Sequence, residues 1–376
     1  MPYWRLSSFY LFYFASLGAL VPYWSLYLKH QGFSSLEIGE LMAVLMATKI
    51  IAPNVWGWIA DHSGRRMGIV RLGSLLAVVT FAGVFLAQGY WSLALVMLLF
   101  SFFWNAALPQ FEANTLTHLG RDHHLYGNIR LWGSVGFIIT VAGLGPLLDL
   151  YGPGILPPVL LVLFTGIWLS SVAAPERQRE TDTGGDGSLK ATLRRPEVLA
   201  LLVVCFLMQA SHGPYYTFYT IYMEGFGYSR GVIGQLWALG VVAEIGVFLW
   251  MPRLVGRWGL RSLLLAALGL TALRWVLIGA LPESVSVMLF AQLLHAASFG
   301  IFHAVAIALF HHHFTGRSQG RGQALYSSLS FGAGGAFGSY YSGLVWDGLG
   351  PVFAYMSAAV LAVLGLAVAA RWIRTT

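Results

Sequence analysis

The chain has 376 residues; 57% are hydrophobic, only 10% are charged, and the formal net charge is +7. A soluble domain carries about 25% charged residues, so a water-solvated globule is excluded and lipid is the expected solvent. The lone cysteine, Cys205, excludes an intramolecular disulfide and a multi-cysteine metal cluster.

Twelve apolar runs follow in order, each near the ~20 residues that a helix needs to cross a bilayer. They cover about 6–28, 36–60, 67–87, 91–117, 127–149, 155–174, 197–223, 231–254, 262–281, 285–313, 322–346 and 351–372. The segment from Met1 to Ser8 lacks the charged region and small-residue cleavage site of a secretory signal, so the first run is expected to stay in the membrane. Very short connections after the third and ninth runs force their neighbours to be antiparallel. One long polar stretch, from Pro175 to Pro196, reads as a flexible linker. The expected architecture is an all-α membrane protein of twelve transmembrane helices: a six-helix bundle over 1–175, a cytoplasmic linker over 176–196 and a second bundle over 197–376.

Orientation follows from the loops. With the amino end in the cytoplasm, that side carries Arg5, Arg65, Arg66, Arg71, Arg121, Arg177, Arg179, Lys190, Arg194, Arg195, Arg253, Arg257, Arg261, Arg317, Arg321, Arg371 and Arg374. The other side carries Lys29 and Arg230. This bias predicts a multi-pass protein of a bacterial-type inner membrane with both termini cytoplasmic. It also accounts for the positive charge without nucleic acid as a partner.

The halves repeat. A shift of 195 residues superposes Gly18 on Gly213, Tyr27 on Tyr222, Gly32 on Gly227, Ser34 on Ser229, Ile38 on Ile233, Gly39 on Gly234, Gly64 on Gly259 and Arg66 on Arg261. Single identities mean little in so apolar a chain, but their concentration around one loop, in one register, marks an internal repeat. Six helices per half give both halves the same orientation. A parallel repeat places a substrate site at the midplane between them.

Two signals carry chemistry. The first is the loop after the second run, Gly57 to Asp61, then Gly64-Arg65-Arg66. Gly64 suits the turn, and Asp61 suits an arginine or a helix N-terminus. The second copy keeps Gly259 and Arg261 but has Gly256 in place of the aspartate. The second signal is the ionisable side chains within the runs: Lys49, Glu112, Arg130, Glu244, Arg274, His295 and His303. Each costs about 2.5–3.5 kcal/mol to insert at the membrane centre, so each calls for a reason. Lys49 and Glu244 are repeat equivalents and could face one another as a structural or functional pair. Lys49, Arg130 and Glu112 make the amino-half wall net positive, which suits an anion, and Arg holds a carboxylate with two hydrogen bonds. Tyr23, Trp24, Tyr27, Trp132, Tyr215, Tyr216, Tyr219 and Trp237 could stack on a ring, or serve only as interface and packing residues. Gly332, Gly334, Gly335 and Gly338 let helices approach closely, and Pro53, Pro109 and Pro214 are expected to kink theirs. His311-His312-His313 and His123-His124 are not read as metal sites, because adjacent helical histidines diverge. No cofactor is expected. No Walker loop, zinc-protease motif or nucleophile elbow stands in the chain, which leaves ATP-driven transport and membrane hydrolysis without support.

The loop motif resembles the signature of the major facilitator superfamily. Pro109 and Glu112, then Gly127 and Arg130, with Arg274 later, resemble the charge pattern of the lactose permease branch, where carboxylate and guanidinium bind sugar. A closer resemblance is to the phenylpropionate transporter branch. It is carried by Pro22 to Ser25, Tyr126 through Ser134, Ser211-His212, Tyr215-Tyr216, Gly227 to Ser229, Leu236-Trp237, Leu239 through Glu244, Leu294-His295 and Phe302-His303. The resemblance implies the major facilitator fold and a monomeric secondary transporter. It is expected to be a proton-coupled importer of a small organic anion such as an aromatic monocarboxylate, by alternating access, with Lys49, Glu112, Arg130, Tyr23, Tyr27, Trp132, Tyr215, Tyr216 and Trp237 as binding candidates. A sugar or nucleoside symporter is the near alternative. A non-transporting sensor is the alternative of another class, disfavoured because the chain ends a few residues after the last run. The proton-site carboxylate of the lactose permease pattern is missing: three residues after His295 stands Ser298. Glu244 beside Arg274, then His295 and His303, are the replacement candidates.

Overall fold

The computed structural model describes residues 2–120, 122, 125–177, 192–315 and 318–374. Arg121, His123, His124, Arg179, Lys190, Arg317 and most of the linker lie outside the described residues. Lipid offers backbone groups no partner, so each spanning segment must close its hydrogen bonds internally, and the described residues form helices and no strands. In order these are α1 (Tyr3–His30), α2 (Ser35–Ser63), α3 (Arg66–Ala82), α4 (Tyr90–Leu119), α5 (Tyr126–Tyr151), α6 (Leu156–Ala173), α7 (Pro196–Ser211), α8 (Gly213–Gly225), α9 (Arg230–Ala280), α10 (Val285–Leu293), α11 (Phe302–His313), α12 (Ser318–Ser327), α13 (Gly335–Trp346) and α14 (Pro351–Trp372). π-helical segments join α10 to α11 (Ala296–Ile301) and α12 to α13 (Ser328–Gly334).

Nine helical stretches among the described residues are long and apolar enough to cross a membrane. Not among them are α2, which carries Glu37, Glu40, Lys49 and Asp61, and the stretch from Ser318 to Trp346, which opens on polar residues. The eighth and ninth runs form one 51-residue helix broken at Gly259 (φ 72°, ψ 161°). The break in the seventh run falls at His212, with Pro214 opening α8 rather than kinking a continuous helix. Pro53 and Pro109 sit inside unbroken helices.

The repeat is visible in the backbone. Gly32 and Gly227 have φ of 88° and 82°, and Gly64 and Gly259 have 66° and 72°. Ser34 and Ser229 are the N-caps of α2 and α9, and each hydroxyl accepts from the backbone N–H three residues on. Equivalent glycines make equivalent approaches: Gly18 lies against the Phe137 carbonyl of α5, and Gly213 against Gly338 of α13. Two arginines clamp the last helix of each half. Arg71 donates to the carbonyls of Ser171 and Ala174, and Arg261 to those of Ala370 and Ile373.

The halves meet most closely at one end. There α2 packs on α13 and α5 on the first arm of α9. Gly39 lies against Gly343, Gly234 against the Val141 carbonyl, and Gly145 against the Arg230 carbonyl, so that no Cβ fits between the backbones. Across the seam Ser35 donates to Asp347 at 2.7 Å and Gln235 to the Ala142 carbonyl at 3.3 Å, while within the amino half Tyr23 donates to the Val141 carbonyl at 2.8 Å, with its hydroxyl beside Gly234. Farther along the seam Asn54 reaches Ser328 at 3.4 Å. The buried core follows the same division. One apolar cluster runs through both halves, whereas a second holds carboxyl-half residues only and a third amino-half residues only.

Candidate functional site

In the amino half Arg130 stands near the start of α5 and turns onto α1. Its guanidinium carbon lies 3.7 Å from the Phe14 ring centroid and 5.7 Å from that of Tyr10. Gly133 makes this possible: a Cβ there would sit 2.5 Å from an Arg130 terminal nitrogen and 2.8 Å from the Phe14 ring. Among the described residues no acceptor hydrogen-bonds to Arg130, and the ion pair with Glu112 suggested by the sequence pattern is not made. Glu112 instead accepts from the Tyr126 hydroxyl at 3.3 Å. Lys49, half-buried in α2, makes no hydrogen bond or ion pair among the described residues, so the pairing with Glu244 that their repeat positions allowed is absent.

The carboxyl half handles charge in the opposite way. Arg274 is completely buried. It donates to the Ala291 carbonyl (3.0 Å), Ser298 Oγ (2.8 Å) and Gln292 Oε1 (3.2 Å), and lies 3.1 Å from His295 Nδ1. The rings of Tyr215 and Trp275 cover it at 4.2 and 4.8 Å. Arginine carries only donors, so His295 Nδ1 accepts and the ring proton sits on Nε2. That nitrogen points to Glu244 Oε2, 3.5 Å away. Glu244 therefore does not touch Arg274, as its expected place implied; His295 connects them. Gly240 and Gly300 bring the helices close enough for this, the first lying against the His295 side chain and the second against the Glu244 stem.

The π segment lies between the two histidines. His295, Phe299 and His303 stack in succession, with centroids 5.6 Å apart and planes within 7° and 8°. His303 Nδ1 ends the row on the Tyr326 hydroxyl at 2.8 Å. Single π turns recur at functional sites.

The aromatic candidates separate into three groups. Tyr215, Tyr216 and Trp237 form one wall, with Tyr215 and Trp237 centroids 4.3 Å apart. Tyr215 also donates to Gln292 at 3.0 Å. Tyr23 and Tyr27 belong to the sealed end, Tyr27 stacking on Trp24 at 4.9 Å. Trp132 points to the amino terminus, donating to the Tyr3 hydroxyl at 2.9 Å. In the signature loop Asp61 pairs with Arg66 at 2.6 Å, Gly64 is the left-handed C-cap of α2 and Arg65 is exposed, while a Cβ at Gly57 would sit 3.6 Å from the Gln110 amide nitrogen.

Sequence reasoning did not give site roles to Phe14, Tyr126, Gln292 and Ser298. Gln292 is the joint between Tyr215 and Arg274, and Ser298 fills the place of the missing carboxylate with an acceptor for Arg274. A serine and a glutamine near a buried arginine are the available signal, since each supplies an oxygen without charge. The Nε2 of Gln292, the hydroxyl of Tyr219 and the indole N–H of Trp237 are buried with no partner among the described residues.

Paired helical bundles, locked at one end and holding charged side chains along the seam within the membrane, define a transporter of small molecules. The chain belongs to the MFS_1 like family of the major facilitator superfamily, which it matches over residues 3–357. It is 30% identical to a protein of Escherichia coli (strain K12) named as a probable 3-phenylpropionic acid transporter, over 91% of this chain and 90% of that one. It is 27% identical to a maltose permease of Geobacillus stearothermophilus, over 93% and 89%. In fold it is similar to the crystal structure of the nucleoside transporter NupG, with a TM-score of 0.84, 15% identity and 100% of each chain covered. The family and these relatives are transporters, not enzymes.

Proposed function

We propose that the protein is a proton-coupled importer of small organic anions, aromatic monocarboxylates in particular, working as a monomer by alternating access. In this reading twelve crossings divide into bundles at 1–175 and 197–376 joined by the 176–196 linker. Both termini face the cytoplasm of a bacterial-type inner membrane, and the sealed end faces outward.

The observation that carries the reading is the state of Arg130. Its guanidinium carbon is held 3.7 Å from the Phe14 ring centroid, with its N–H groups unclaimed among the described residues. A guanidinium in that condition suits a carboxylate, which it grips with two parallel hydrogen bonds. Phe14 in the amino half and Tyr216 in the carboxyl half are half-buried rings that could pack on an aromatic substrate, with Tyr10 and Trp237 behind them. The E. coli relative, named for an aromatic carboxylic acid, supports the same class.

Proton coupling is assigned to Glu244. When ionised it opposes a second negative charge in the path and faces the Nε2 proton of His295 at 3.5 Å. When protonated it leaves Arg130 to the substrate. Loading thus takes a proton and an anion together, and loss of the proton on the inner side expels the anion. His295 cannot carry the proton while Arg274 donates to its Nδ1, so its role is to transmit the state of Glu244 to Arg274 and the π segment. Lys49, without a partner among the described residues, adds positive charge to the path.

The test is uptake of labelled 3-phenylpropionate into proteoliposomes, with and without an inward proton gradient, competed by carboxylates, sugars and nucleosides. Gradient-driven uptake blocked by aromatic carboxylates alone supports the reading. Absence of uptake removes the aromatic-acid class.

A further inference from the structure

We infer that Asp149 and, more weakly, Asp347 are paired latches that hold the sealed end shut, each a carboxylate of one half closing the start of a helix in the other. Asp149 ends α5. Its two oxygens accept from the backbone N–H groups of Arg230 and Gly231, both at 2.9 Å, at the first turn of α9. The Arg230 side chain reinforces the joint, donating to the Leu148 carbonyl at 2.6 Å and pairing with Glu224 at 2.8 Å. Asp347 follows α13 and accepts from the Ser35 hydroxyl at 2.7 Å, at the first turn of α2. Ser35 and Arg230 are repeat equivalents, and the two acceptors lie at the ends of α5 and α13, so the contacts are related in place though not residue for residue.

The unequal strength has a local cause. The first N–H groups of a helix lack internal partners, and its dipole favours an anion there. In α2 that need is met from within: Ser34 and Glu37 form a reciprocal capping box, with Glu37 Oε2 2.8 Å from the Ser34 nitrogen. The equivalent of Glu37 in α9 is Val232, which has no side-chain acceptor. Ser229 reaches only the Val232 N–H. Asp149 supplies the remainder from across the seam, so opening this end strips α9 of its cap as well as separating the halves. In the α2 joint, opening breaks one hydroxyl contact and leaves the capping box in place. Both joints sit beside the glycine approaches of Gly145 and Gly39, where backbone contact removes any side chain that could cushion the seam.

These are positioning residues of the transport cycle: they touch no substrate and bias which end is closed. That the sealed end is the outer one rests on the orientation given above, whereas the latch itself does not depend on the substrate. The experiment therefore needs no transport. In a Cys205→Ser background, spin-label pairs are placed at Gln31 with Glu283, on the sealed end, and at Ser63 with Arg257, on the opposite end; all four positions are exposed. Distances are read by double electron–electron resonance. Asp149→Ala is expected to raise the fraction open at the sealed end about tenfold, with a matching rise in the fraction closed at the opposite end. Asp149→Asn, which keeps one acceptor oxygen, is expected to fall between, and Asp347→Ala to give about twofold. Unchanged distributions in Asp149→Ala overturn the proposal. Broadening of both pairs without reciprocity also overturns it, because that is damage to the fold and not a shifted equilibrium.

Discussion

Arg130 and Arg274 are both arginines within the membrane, one in each half, and the protein treats them oppositely. Arg274 is sealed from solvent, and its fork is filled by a carbonyl, a serine, a glutamine and a histidine. Arg130 lies open on a phenylalanine with no acceptor among the described residues. A buried cation with a complete donor set is satisfied and acts on its surroundings by holding them in place. A cation positioned by ring contacts alone is waiting for an anion. The same contrast extends to the helices. The carboxyl half has a broken seventh segment and two π segments, and the described amino-half spans, apart from short 3-10 turns at Gly83–Phe85 and Pro153–Ile155, run as α-helix. In the proposed cycle the irregular half relays the change and the regular half receives the ligand.

The contrast breaks first where its two members are exchanged for alanine. Arg274→Ala strands Gln292, Ser298 and His295 without their donor, and removing one partner of a buried charged network costs about 3–5 kcal/mol. Thermal unfolding in detergent should show a large loss of stability. Arg130→Ala breaks no protein hydrogen bond, so the melting temperature should stay near the parent value, while uptake falls on the order of 100-fold. A stable Arg274→Ala protein, or an unfolded Arg130→Ala protein, would dissolve the distinction.

Next in size is the uncoupling of Glu244. Glu244→Gln fixes the neutral form, so substrate exchange across the membrane should continue while accumulation driven by a proton gradient disappears. Loss of exchange together with accumulation would make Glu244 a binding group instead. Arg130→Lys should follow: it keeps the charge but loses the planar fork and the stacking on Phe14, so KM should rise about tenfold. The smallest effect sharpens the origin of that placement. Phe14→Leu removes a ring contact worth about 0.5–1 kcal/mol, and KM in uptake assays should rise about two- to fivefold with little change in maximal rate.

Much of this arrangement was legible in the sequence for definite reasons. The repeat could be read because Gly32, Ser34 and Gly64 and their equivalents Gly227, Ser229 and Gly259 sit at turns and caps, where the backbone restricts the residue type. The ionisable residues within the spans could be read because lipid makes them costly. Their partners could not. Lys49 and Glu244 occupy equivalent positions, yet rotation about the helix axis turns Glu244 onto the π segment, where His295 meets it. Glu112 and Arg130 have the spacing of a pair but are diverted, one to Tyr126 and the other to Phe14. Pairing depends on rotation and tilt set by distant contacts, and π segments at Ala296–Ile301 and Ser328–Gly334 have no composition of their own to announce them.

The most direct test of the account is binding of 3-phenylpropionate to the purified protein and to Arg130→Ala, measured by calorimetry together with the melting temperature of each. The account predicts saturable binding to the parent, binding weakened on the order of 100-fold in the variant, and melting temperatures that agree. Equal affinity in the two proteins would contradict it, because the carboxylate would then be held somewhere other than at Arg130.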